Sequence, residues 1–95
     1  MELSDYRKQV DSIDDEICRL FQQRMEVVNA IGEFKREHDL PVDSSSRERE
    51  VLARISKQLP ENLEGFGRVL YRSMFDVSKA YEAMYKEKDS PPTLH

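Results

Sequence analysis

Apolar residues recur along the first third of the chain in steps of three and four: Leu3, Tyr6, Val10, Ile13, Ile17, Leu20, then Val27, Ile31 and Phe34. Ten positions follow this alternation without a slip, and nine of them are apolar. The exception is Arg24. A stripe of this period is the mark of an α-helix that turns one face to a core or to another helix. A guanidinium keeps its charge at any accessible pH, so its place in such a stripe is costly unless an anion meets it. Two explanations stay open: a carboxylate of the protein itself, or a ligand that brings the negative charge.

The pattern predicts three helices and an all-α fold. The first covers about residues 4–37, with Ser4 as N-cap and Asp5 in its first turn. No proline interrupts it, and Pro41 disfavours helix at the residue before it. Gly32 inside it serves either close helix packing or room for a ligand. The second helix covers about residues 46–58. Ser45 and Glu48 have capping-box spacing, Val51, Leu52 and Ile55 form its apolar face, and Leu59-Pro60 closes it. The third covers about residues 62–87, with Glu61, Asn62 and Glu64 suited to its N-terminus. Its apolar stripe reads Leu63, Phe66, Leu70, Ser73 or Met74, Val77, Ala80 or Tyr81, Met84. One domain is expected over residues 1–88, followed by a disordered tail over 89–95.

The first helix is too long for a monomer. Thirty-four helical residues span about 50 Å, whereas a compact chain of 95 residues is about 30 Å across. Its stripe therefore needs a second chain to cover it, and a homodimer with the long helices packed together is expected.

Composition narrows the class. The chain is 38% hydrophobic and 36% charged, with a net charge of −4, which argues against nucleic acid or an anionic membrane as partner. Its fifteen Lys and Arg must act as local clusters rather than as an overall field. The single Cys18 rules out an internal disulfide and is expected to be a small buried or half-buried helix residue. With no basic and apolar leader at its start, the chain is expected in the cytoplasm.

Common catalytic sets are missing. The two histidines, His38 and His95, leave no base for a serine or cysteine nucleophile, and no cluster has metal-ligand spacing. No cofactor is expected. Cations at helical spacing remain. Arg24 and Lys35 lie eleven residues apart, within about 20° of one helix face and about 16 Å apart along the axis, so their long side chains can close on a small dianion. Arg7 lies about 25 Å from Arg24 along the helix and can reach such a site only from an antiparallel partner. Arg47 and Glu48 on the second helix, and Ser78 and Glu82 on the third, can complete a pocket. Each has a blander reading. Arg7 and Lys35 can be solvated, Glu48 can serve only to cap Ser45, the run Arg47 to Glu50 can be a surface face, Ser78 can be a packing residue, and Arg24 can pair internally.

Together these residues carry a resemblance. The stretches Leu3-Ser-Asp-Tyr-Arg7-Lys-Gln-Val-Asp-Ser-Ile-Asp14, Leu20-Phe-Gln-Gln-Arg24-Met, Ile31-Gly-Glu-Phe-Lys35, Leu40-Pro-Val, Arg47-Glu-Arg-Glu50 and Ser78-Lys-Ala-Tyr-Glu82 resemble the all-helical class of chorismate mutase, from Leu3 to Tyr85. The resemblance implies an intertwined homodimer with two active sites. It also implies a cofactor-free Claisen rearrangement of chorismate to prephenate, on the route to Phe and Tyr. By the same resemblance, Arg7 holds a substrate carboxylate in the partner's site and Arg24 holds the other carboxylate. Lys35 contacts the ether oxygen, Arg47 shapes the cationic site, Glu48 accepts from the substrate hydroxyl, and Ser78 lies near a carboxylate. Two positions depart from the family pattern. Ser44 stands where an acidic residue usually assists the substrate hydroxyl, with Asp43 one residue earlier. Glu82 stands where many members have Gln; a carboxylate there repels the charge growing on the ether oxygen, so Glu82 must carry a proton to help. Activity is therefore expected to be higher in acid than at neutral pH. The competing readings are an isochorismate-pyruvate lyase on the same fold and a non-catalytic helical dimer that binds a metabolite or protein. No dedicated regulatory module is expected, and the pattern makes no statement on docking to another shikimate-pathway enzyme.

Overall fold

A computed structural model describes residues 1–86 of the chain; the tail expected over residues 89–95 lies outside the described residues. Three helices account for nearly all of it: α1 (Leu3–Glu37), α2 (Ser45–Gln58) and α3 (Glu61–Lys86), with no strand among the described residues. The helix count and class are those the periodicity predicts. Helix α3 is the middle element: α1 packs on one part of it and α2 on another.

Local chemistry sets the helix ends, in places differently from the sequence expectation. The N-cap of α1 is Glu2, not Ser4, and the Asp5 carboxylate accepts from the Glu2 backbone N–H at 2.8 Å. That bond satisfies an otherwise orphaned donor and puts negative charge at the positive end of the helix dipole. At the other end α1 stops before Pro41 can act. Asp39 takes a left-handed conformation at φ 54, its N–H reaches Arg36 O, and the Leu40 N–H reaches Lys35 O at 2.8 Å. This is a Schellman turn with Asp in the role usually given to Gly, and Asp is among the side chains that tolerate that geometry.

The expected capping box at the start of α2 does not form. Ser44 is the N-cap and Ser45 is already helical, its hydroxyl donating to Asp43 Oδ1 at 2.8 Å. The Glu48 side chain is drawn instead across to α3. The turn into α3 is tight, with Leu63 N–H on Pro60 O at 2.9 Å. Gly67 lets α3 close on the end of α2, because a Cβ there would run into the Leu59 side chain.

The core is small. Val51, Ile55 and Phe75 are buried together, with Leu52, Leu59 and Tyr71 packed against them, and Val28 is buried on α1. The face of α3 that does this work is not the apolar stripe read from the sequence. It runs through Gly67, Tyr71, Phe75, Ser78 and Glu82, whereas Leu63, Phe66, Leu70, Val77 and Met84 are exposed, Phe66 by 76%. The strongest apolar stripe of α3 thus points away from its own chain. Most of that of α1 does too: all nine apolar seam residues are between 42% and 62% exposed, and Arg24 alone among the ten is half-buried. Cys18, expected inside, is also exposed. Gly32 is buried and does not line the cavity described below, which favours close packing as its role. The molecule measures 54 × 32 × 18 Å with a radius of gyration of 16.8 Å, well above the roughly 12 Å of a compact chain of this length.

Candidate active site

The C-terminal half of α1, the start of α2 and the second half of α3 enclose a cavity of about 640 Å³, a size usual for a small-molecule site. Its polar wall comes from all three helices: Arg24 and Lys35 from α1, Ser44, Arg47, Glu48 and Arg54 from the α2 side, Ser78, Lys79 and Glu82 from α3. Val27, Val28, Ile31, Val51, Tyr71 and Phe75 form the apolar remainder. Helix periodicity explains the meeting. Arg24, Val28, Ile31 and Lys35 share one face of α1, and Tyr71, Phe75, Ser78 and Glu82 share one face of α3.

Arg24 donates from Nη1 to Ser78 Oγ at 2.5 Å, and Ser78 is buried. The partner is a neutral hydroxyl, so the internal salt bridge that would have explained Arg24 blandly is not made among the described residues. Lys35 lies 2.8 Å from Glu82 Oε1 and also donates to Val42 O at 3.2 Å. The Schellman turn is what brings Val42 back over the end of α1. Glu82 is 5% exposed, and its Oε1 has the Lys35 charge beside it without an aligned hydrogen bond. Such a contact is electrostatic but poorly directional, which leaves that oxygen able to change partner.

Glu48 also lines the cavity, and Lys79 Nζ lies 3.3 Å from its Oε2. Lys79 was not singled out in the sequence, because nothing in its position distinguishes it from a solvated lysine on α3. The same holds for Arg54, two turns along α2 from Arg47. Arg47 is mostly exposed and pairs loosely with Glu50 at 3.3 Å, yet it still reaches the cavity rim. Of the two residues open for the acidic slot, Ser44 lines the cavity and Asp43 does not; Asp43 is exposed and takes the Ser45 hydroxyl. Arg7 is exposed on the projecting half of α1 and does not line this chain's cavity. His38 closes α1 and stacks on Phe34 at 4.0 Å, away from the cavity. No group of His, Cys, Asp or Glu suited to a metal occurs among the described residues.

The cavity wall carries five cationic side chains against two carboxylates, both of which already face a lysine. The described lining residues include no nucleophile with an adjacent base. Fold and site together define an all-helical protein with a cation-rich, partly apolar pocket. The chain belongs to the chorismate mutase type II family, whose model matches residues 6–83. It is 41% identical over 93 residues to the bifunctional chorismate mutase/prephenate dehydratase of Aquifex aeolicus, covering 90% of this chain and 25% of that protein. It is 27% identical over 88 residues to the chorismate mutase of Methanocaldococcus jannaschii, covering 90% of this chain and 89% of that one. A shorter match, 41% identical over 46 residues, is to the T-protein of Haemophilus influenzae and covers 12% of it. The chain thus spans a quarter of the first relative and most of the second. No solved structure matches significantly.

Proposed function

We propose that the protein is a chorismate mutase, converting chorismate to prephenate by a Claisen rearrangement. The observation that carries this reading is the convergence of Arg24 and Lys35 on one cavity with an excess of positive charge and no nucleophile, in a chain of this family. The substrate is a dicarboxylate with an enol-ether bridge and a ring hydroxyl. In the rearrangement the ether C–O bond breaks as a C–C bond forms, all within one molecule. Acid or base groups have little to do. Catalysis comes from holding the flexible dianion in its compact reactive shape and from fixed positive charge at the ether oxygen, where electron density builds.

In this reading Arg24, positioned by Ser78, takes one carboxylate. Lys35 leaves its loose contact with Glu82 to face the ether oxygen. Glu82, when protonated, donates to the same oxygen from the other side. Arg47 stands at the rim, and Ser44 and Glu48 serve the ring hydroxyl. Arg7 takes the second carboxylate from a partner chain, in an antiparallel homodimer whose interface is the apolar seam of α1. Support for the dimer comes from that seam's exposure, from the exposed stripe of α3, and from a length that no single chain covers. We place the protein in the cytoplasm, where Cys18 stays reduced. No helix of the described residues is long and apolar enough to cross a membrane.

The direct test is to incubate the protein with chorismate and, separately, with isochorismate. Loss of chorismate with appearance of prephenate is expected. Salicylate and pyruvate from isochorismate would instead make it a lyase, and no turnover of either would leave a binding dimer.

A further inference from the structure

We infer that Lys79 is a positioning residue that holds Glu48 by one carboxylate oxygen and so presents the other to the ring hydroxyl of the substrate. The inference rests on the mutase reading of this same cavity. The ring hydroxyl is a donor and needs an acceptor on the wall. Glu82 faces Lys35 at 2.8 Å, Asp43 lies outside the cavity on the Ser45 hydroxyl, and the slot next to it holds neutral Ser44. Glu48 is the remaining carboxylate among the described lining residues.

A mobile Glu48 would serve badly. It shares the wall with Arg24, Lys35, Arg47 and Arg54, and a free carboxylate there would swing onto one of them. That would neutralise charge the dianion needs and remove the acceptor together. Lys79 prevents this from the opposite helix. Its Nζ lies 3.3 Å from Glu48 Oε2, with both side chains largely shielded at 34% and 22% exposure, so the pair is less screened than a surface one. Asp76, one turn back on α3, stands 3.9 Å from the same ammonium and steadies it from the solvent side. Sequence position explains the reach. Lys79 follows Ser78, which holds Arg24, and precedes Glu82 by one turn, so one stretch of α3 orients all three polar walls of the site.

The test compares the unmutated protein, Lys79→Met, Lys79→Arg and Glu48→Gln on two substrates, chorismate and the same molecule with hydrogen in place of the ring hydroxyl. The unmutated protein is expected to prefer chorismate by about tenfold in kcat/KM, the scale of one hydrogen bond to a charged group. Lys79→Met should lose that preference, kcat/KM falling further on chorismate than on the deoxy substrate and mainly through KM, and Lys79→Arg should restore it. Glu48→Gln should lose it as well. A structural role alone would lower both substrates equally, and that result, or a preference unchanged in Lys79→Met, overturns the inference. No turnover of chorismate by the unmutated protein would instead overturn the mutase reading and this inference with it.

Discussion

Arg24 matters because helix periodicity gives it a place among apolar residues while its charge is left to a ligand. Ser78 aligns it and neutralises nothing. Replacing Arg24 by Ala should therefore lower kcat/KM on chorismate by a factor on the order of a hundred to a thousand, with helix content by circular dichroism unchanged. Lys35→Ala should cost as much in turnover, and it frees a buried Glu82 as well, so it should also lower the melting temperature. A mutant with near-normal turnover at either position would remove the cationic account of the site.

Glu82 acts on the ether oxygen in the proposed mechanism. It shares the cavity with Lys35 and Arg24 from α1, Arg47, Glu48 and Arg54 from α2, and Ser78 and Lys79 from its own helix. Protonated, it donates to the ether oxygen; ionised, it opposes the charge that grows there. Glu82→Gln keeps a donor at that oxygen and removes the competing charge, so kcat/KM on chorismate should hold or rise, whereas Glu82→Ala should lower it. A Gln variant as impaired as the Ala variant would falsify this role.

The scale of elements explains what the sequence could and could not reveal. The existence and type of all three helices follow from apolar period and from Pro41 and Pro60. The ends depended on bonds that periodicity does not encode: the Glu2–Asp5 bond, the Asp39 turn, and Glu48 reaching across the bundle instead of back to Ser45. For α3 the most apolar stripe is not the face that packs on its own chain. The reason is physical. The inner face of α3 walls a polar cavity, so it must carry Ser78, Lys79 and Glu82, while the more apolar face is left exposed. The cations of the site were legible because an arginine in an apolar seam is conspicuous. Lys79 and Arg54 were not, because a cation on an otherwise polar helix face looks like any solvated residue.

The exposed seam of α1 makes its own prediction. The double substitution Ile13→Asp and Ile17→Asp puts four charges at the centre of the proposed two-chain interface, since each chain contributes two. It should convert the assembly to monomers in sedimentation equilibrium and abolish turnover, although neither residue lines the cavity. A clean monomer for the unmutated protein at micromolar concentration would contradict the dimer outright.

At the scale of the whole molecule, a 54 Å extent and a small core fit the proposed dimer, in which each chain is half of the assembly. The seam of α1, the outer stripe of α3 and the distant Arg7 then have one explanation: a second chain lies along α1 and brings its own Arg7 to this chain's cavity. On this proposal the active site is a property of the pair. Mixing two inactive variants, Arg7→Ala and Lys35→Ala, tests this most directly. After dissociation and reassociation, half of the dimers carry one chain of each kind. In those, one of two sites combines an intact Lys35 with an intact Arg7 from the partner. Chorismate turnover should therefore return to about a quarter of the unmutated value, from two preparations that each show almost none. If the mixture stays as inactive as its parts while hybrid dimers form, Arg7 does not act across the interface, and the shared active site is wrong.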